Sequence, residues 1–209
     1  MTPRPRPSRR PPRLPTARVP VPDLPHVRGG TVSYPDPRYF GEHGEISATF
    51  RPATTAPDFV SMPTTTCDPG DLGDPGSCDA PRGTAYHYLS TTVSTGGEYG
   101  LYRVDMGPEA GGPGTHFHKA MSESFFILSG TMRLFDGRRW VDVTSGDYLY
   151  VPVGGLHAFR NESGEPASML MLFAPGAPRE EYFEGVTQLA DLSEEERTEF
   201  FLRHDSYFV

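Results

Sequence analysis

Between Tyr86 and Phe173 the aromatic and apolar residues come in nine short runs, none longer than seven residues. The runs are Tyr86–Ser90, Gly100–Met106, Thr115–His118, Glu123–Ser129, Thr131–Phe135, Arg139–Val143, Tyr148–Val151, His157–Asn161 and Ser168–Phe173. Glycine, proline and aspartate separate them, and no stretch of helical period intervenes. Runs of this length can only be strands, and closely spaced strands with short turns predict an all-β sandwich or barrel. Asp136-Gly137 between two runs is a two-residue hairpin signal. The pattern changes only near the end, where 178–190 and 193–205 read as helices. Ser193 with Glu196 three residues later fits a capping box at the start of the second.

Proline divides the rest of the chain. Of its 23 prolines, eleven lie in the first 37 residues and six between Arg51 and Pro81. Residues 1–30, rich in Pro and Arg, read as a disordered tail. Residues 31–83 read as an arm followed by a Gly/Pro/Asp-rich loop. Tyr34, Tyr39, Phe40, Ile46 and Phe50 return apolar character to 31–51 and suggest an edge strand or a packed arm. Residues 84–176 are the expected barrel, and 177–209 a helical segment whose Phe200, Phe201 and Leu202 pack on the barrel or on a partner.

Charge narrows the partners. The first 30 residues hold seven arginines and one aspartate, a net of +6, which leaves −14 for the rest of a chain whose total is −8. An acidic body argues against a nucleic-acid binder, and no DNA-reading helix pair is evident. Ser8-Arg9-Arg10 lacks the apolar run an export signal needs, and no segment approaches the ~20 apolar residues of a membrane helix. A cytoplasmic protein with no membrane span is expected. Cys67 and Cys78 have no histidine or third cysteine beside them, so two thiols in a loop, or a loop-closing disulfide, are expected rather than a zinc knuckle.

Chemistry concentrates in two clusters. The first runs from Gly111 through His116, His118 and Glu123 to Gly130; the second from Gly146 through Pro152, Gly154 and His157 to Asn161. On a strand, His116 and His118 point to one face, about 6.5–7 Å apart. A turn over 119–122 returns Glu123 beside them. The Pro152-x-Gly-Gly turn then starts the strand that carries His157. A lone histidine is ordinarily a core residue, and Glu123 alone would be an ion-pair partner for Lys119 or Arg133. Together, three imidazoles and one carboxylate form a mixed N/O set for a divalent transition metal (Fe, Mn, Ni, Co, Cu or Zn) rather than for magnesium or calcium. Four protein ligands on an octahedral ion leave two positions for other molecules.

These residues resemble the paired motifs of the cupin superfamily. The second cluster matches throughout: Gly146, Pro152, Gly154, His157 and Asn161 at the family's spacing. The first matches from His116 through His118 and Glu123 to Gly130, but Ala110 stands where the leading glycine is expected, with Gly111 next to it. The motifs cover 111–161, and the strand pattern extends the likeness to about 85–175. The wider run is similar to single-domain bacterial cupins of the quercetin 2,3-dioxygenase-like kind. The resemblance implies a double-stranded β-helix, or jelly-roll, barrel. It also implies metal ligation by His116, His118, Glu123 and His157, and a homodimer.

The reaction is less constrained than the site. An oxygenase acting on a small organic substrate, such as an aromatic hydroxy-ketone, is the leading expectation, with Glu123 as ligand and as base for the substrate hydroxyl. Tyr102, Met106, Phe125, Ile127, Phe159, Met171 and Phe173 are the expected pocket walls. An oxygen-independent metal-assisted isomerase, cyclase or lyase, or a non-catalytic small-molecule-binding cupin, are the alternatives.

Overall fold

The computed structural model describes residues 36–61, 83–108 and 110–209. Residues 1–30, the loop cysteines Cys67 and Cys78, and most of the Gly/Pro/Asp-rich loop lie outside the described residues. The chain divides into two units, 1–48 and 49–209. In the first, residues 36–48 contain no strand or helix and are exposed throughout; the Tyr39 hydroxyl donates to the His43 carbonyl and to Glu45.

Among the described residues the second unit has eleven strands: β1 (Phe59–Ser61), β2 (Thr84–Ser90), β3 (Gly100–Met106), β4 (His116–Phe117), β5 (Ser122–Ser129), β6 (Thr131–Phe135), β7 (Trp140–Thr144), β8 (Tyr148–Val151), β9 (Ala158–Arg160), β10 (Ala167–Ala174) and β11 (Tyr207–Phe208). All pairings are antiparallel. A six-stranded sheet runs β1-β2-β3-β10-β5-β8, a three-stranded sheet β7-β6-β9, and β11 pairs with β4. The non-sequential order, with β10 between β3 and β5, is a jelly-roll arrangement of the kind the sequence implies.

Alternation explains the layers. In β3 and β10 every second residue is buried, so Tyr102, Val104 and Met106 face inward beside Met169, Met171 and Phe173. Phe125 and Ile127 of β5 join them. Met132 and Leu134 of β6, Val143 of β7 and Phe159 of β9 belong to the same apolar core. Burying such side chains contributes about 1.5–3 kcal/mol each. Asn161, fully buried beyond β9, ties the ends of the strands together. Its amide donates to the carbonyls of Gly107 (2.9 Å) and Glu165 (2.7 Å), and its carbonyl oxygen accepts from the Ser163 hydroxyl (2.7 Å).

Two local expectations are corrected. The edge strand does not come from the arm: among the described residues, 36–51 has no strand, and β1 lies in the segment read as loop. The cause is Asp58, which sequence periodicity does not register. Arg51 donates to its carboxylate at 2.6 Å, the Tyr88 amide donates to it at 2.8 Å, and the Asp58 amide donates to the Tyr86 carbonyl at 2.9 Å, docking the segment on β2. The helix expected over 178–190 is α1 (Glu180–Gly185) followed by a 3-10 turn (Val186–Asp191). Gly185 marks the junction because a Cβ there would lie 2.5 Å from the Phe200 ring. The last helix, α2 (Glu194–Arg203), starts at the expected capping box, with Ser193 accepting from the Glu196 amide and Glu196 accepting from the Ser193 amide. β11 has too few residues to show a pattern.

Replacing Asn161 with Ala removes the side-chain donor to the Gly107 carbonyl and the acceptor of the Ser163 amide, and is expected to lower stability by about 2–4 kcal/mol in denaturant unfolding. A loss below about 0.5 kcal/mol would show that the strand ends do not depend on it.

Candidate metal centre

Backbone pairing brings the two clusters together. His116 and His157 form an antiparallel bridge in which each amide donates to the other's carbonyl at 3.0 Å, and the Gly154 amide donates to the His118 carbonyl at 2.7 Å. Glu123 enters from β5, opposite Val151 of β8. One ligand atom from each of His116, His118, Glu123 and His157 lies within 4.8 Å of the others, and all four side chains are buried.

The imidazoles are fixed in one tautomer. Their Nδ1 atoms face backbone carbonyls, at 2.9 Å for His116 and Gly114, 2.6 Å for His118 and Asp205, and 3.0 Å for His157 and Gly155. A carbonyl can only accept, so each Nδ1 carries the proton and, in the neutral ring, each Nε2 presents its lone pair. The Nε2 atoms of His118 and His157 lie 3.2 and 2.8 Å from Glu123 Oε2. Two ligands at right angles and about 2.1 Å from one ion are ~3 Å apart, so these spacings suit a shared cation. The donor set, three borderline nitrogens and one oxygen, fits a divalent transition metal.

Electrostatics agree. Burial alone would raise the Glu123 carboxyl, but hydrogen bonds from His118 and His157, which their Nε2 atoms donate only when the rings carry a second proton, outweigh it and hold the group well below the usual carboxylate range. Burial, then the neighbouring His157, pushes His116 down to about 4, which favours the neutral ring a metal requires. His157 is raised: burial lowers it, but the hydrogen bond and charge of Glu123 prevail.

The C-terminal segment completes the site, which the sequence reading missed. Asp205, with φ of 52°, turns the chain after α2. Its carbonyl takes the His118 Nδ1 proton, while its carboxylate accepts from the amides of Lys119 and Ala120 at 3.0 and 2.8 Å. Phe208 of β11 stacks on His116 at 5.1 Å. Arg179 was also missed. It is buried and stacks over Tyr182 at 3.9 Å, and it donates to the His204 carbonyl at 2.8 Å, while its Nε has no hydrogen-bond partner among the described residues. An orphaned buried donor costs about 1–3 kcal/mol. One signal existed: Arg179 sits at the N-terminus of α1, where the helix dipole disfavours a cation.

A cavity of about 360 Å³ opens beside the centre and is lined by both His116 and Glu123. Of the seven expected walls, Met106, Phe159 and Met171 line it. Tyr102, Phe125, Ile127 and Phe173 do not; they are core residues. Phe125 packs against His157 (6.0 Å) and Phe173 against His118 (6.3 Å), both fully buried. Further wall comes from the C-terminal elements, including Arg179, Phe183, Phe201 and Phe208, and from β1, β2 and the segment before β4.

Residues 102–173 match the family model described as a cupin domain. A 91-residue stretch is 29% identical to quercetin 2,3-dioxygenase of Bacillus subtilis (strain 168), covering 44% of this chain. The match spans only 26% of that protein's length. Solved structures with similarity include a predicted oxalate decarboxylase from Thermotoga maritima, with TM-score 0.42 and 18% identity over 46% of this chain and 84% of that one. The polyketide cyclase RemF from Streptomyces resistomycificus gives TM-score 0.40 and 21% identity over 55% and 87%.

Replacing Asp205 with Gly keeps the backbone turn accessible but removes the carboxylate that anchors it. Metal affinity measured by competition with a chromophoric chelator is expected to fall roughly 10–100-fold with all four candidate ligands intact. An unchanged affinity would mean that this anchor does not orient His118.

Proposed function

We propose, for a chain that carries a cupin domain, that it is a metal-dependent oxygenase acting on a small organic substrate. The observation that carries the metal half of this reading is the set of three buried imidazoles, each with Nδ1 committed to a backbone carbonyl, facing one ionised carboxylate at the edge of a cavity. The oxygenase half is supported by the sequence likeness to a quercetin 2,3-dioxygenase.

His116, His118, His157 and Glu123 would hold the ion. Such an ion, when bound, supplies Lewis acidity and, for a redox metal, one-electron chemistry with dioxygen. The protein's own part is positional. The carbonyls of Gly114, Gly155 and Asp205 keep the rings from rotating, so the centre is preorganised. Met106, Phe159, Met171 and Phe183 exclude water from the substrate's apolar body. Glu123 remains anionic because two histidines donate to it or share a cation with it, which suits a ligand. Its proposed second role is to take the substrate's hydroxyl proton only while that proton is in transfer, since a carboxyl held so low does not retain it.

Oxygen uptake by full-length protein loaded in turn with Fe, Mn, Ni, Co, Cu and Zn, against a flavonol and catechol panel, tests this. Uptake that depends on both metal and substrate, and that falls at least about 100-fold in Glu123→Gln, is expected. Turnover of the same compounds at equal rates under nitrogen, or no uptake with any metal, contradicts it.

A further inference from the structure

Arg179 is an expensive residue to bury, and no carboxylate among the described residues pairs with it directly. It is 3% exposed. No ion pair among the described residues includes it. The rings of Tyr182 at 3.9 Å and Phe173 at 5.1 Å stabilise the cation through its faces. Stacking of that kind leaves the N–H donors, which lie in the guanidinium plane, to be satisfied otherwise. Among the described residues, the His204 carbonyl takes one of them, the Tyr182 hydroxyl is a further polar neighbour, and the Nε–H has no acceptor. Of the described residues that line the cavity, Arg179 is the one lysine or arginine, and it shares that cavity with His116 and Glu123.

A planar guanidinium that lines the cavity, with one positive charge and apolar walls around it, matches one ligand chemistry. We infer that Arg179 anchors the carboxylate of the substrate, so that the cavity takes a small monocarboxylic acid with an apolar or aromatic body. A carboxylate accepts two parallel N–H bonds from such a fork. A phosphate ester carries more charge and more acceptors than one guanidinium neutralises and satisfies. The cavity volume, about 360 Å³, is at the lower end for small-molecule sites and limits the body to one of modest size. This inference rests on the reading of the cavity as the substrate site and narrows the substrate class. Arg179 is a substrate-anchoring residue in it, separate from the four candidate metal ligands.

Benzoate and benzamide differ in charge and little in shape, and calorimetric titration of both into full-length protein tests the inference. Because a carboxylate also ligates metal ions, the titrations use metal-loaded and chelator-stripped protein. The expected result is at least about tenfold tighter binding of benzoate than of benzamide in both forms. That preference should disappear in Arg179→Gln and be reduced in Arg179→Lys, which keeps the charge and loses the fork. Equal binding of acid and amide by the wild type overturns the inference. So does an undiminished preference in folded Arg179→Gln, or tighter binding of phenyl phosphate than of benzoate. Should Arg179→Gln not fold, Arg179→Lys carries the comparison, and a preference equal to the wild type's overturns it. Protein that retains no metal yet prefers benzoate through Arg179 counts against the oxygenase reading and leaves this one standing.

Discussion

Two backbone hydrogen bonds, exchanged between His116 and His157 at 3.0 Å, hold this structure's chemistry in place. The two residues are far apart in the chain, and nothing local forces them together. The pair is reciprocal, as in any antiparallel bridge, so it fixes distance and orientation at once. It sets one imidazole from each cluster on the same inner surface, with ring centroids 4.2 Å apart. His118 follows from His116 by strand geometry, and Glu123 follows from the turn between β4 and β5.

A polar cluster inside an apolar barrel is costly unless every donor and acceptor is used. Here the cost is offset by a division of labour at each ring. One nitrogen is committed to a backbone carbonyl; in His118 and His157 the other lies within 3.2 Å of the shared carboxylate. The carbonyls come from three different parts of the chain, the segment before β4, the turn before β9 and the bend after α2. The last of these explains why the chain continues past the barrel: α2 and β11 return to cover the site, with Phe201 and Phe208 packed against each other at 4.5 Å. Arg179 breaks the pattern of satisfaction, and for that reason it points outward from structure to ligand.

Much of this was legible in the sequence. The barrel strands could be read because inward residues alternate with outward ones in β3 and β10, and because Gly, Pro and Asp fall at the turns. The four candidate ligands could be read because their spacing satisfies strand and turn geometry. Other features depend on tertiary closure. β1 exists because the Asp58 carboxylate docks it on β2. At the break after α1, Gly185 lies so close to Phe200, a residue of another helix, that no Cβ fits there. Phe125 and Ile127 share a strand face with Glu123, but a shared face does not decide whether a side chain borders the cavity or fills the core, and neither lines it. Arg179 and Asp205 carry no motif; only folding reveals that their segments close on the centre.

The central claim is that three imidazoles and Glu123 converge on one cation. X-ray absorption at the metal edge of full-length protein carrying one equivalent of Co(II) measures this directly. The account predicts outer-shell scattering from three imidazoles, with nitrogen and oxygen neighbours at about 2.0–2.2 Å. A spectrum fitted by one imidazole or none, or a protein that does not retain the ion, would contradict it.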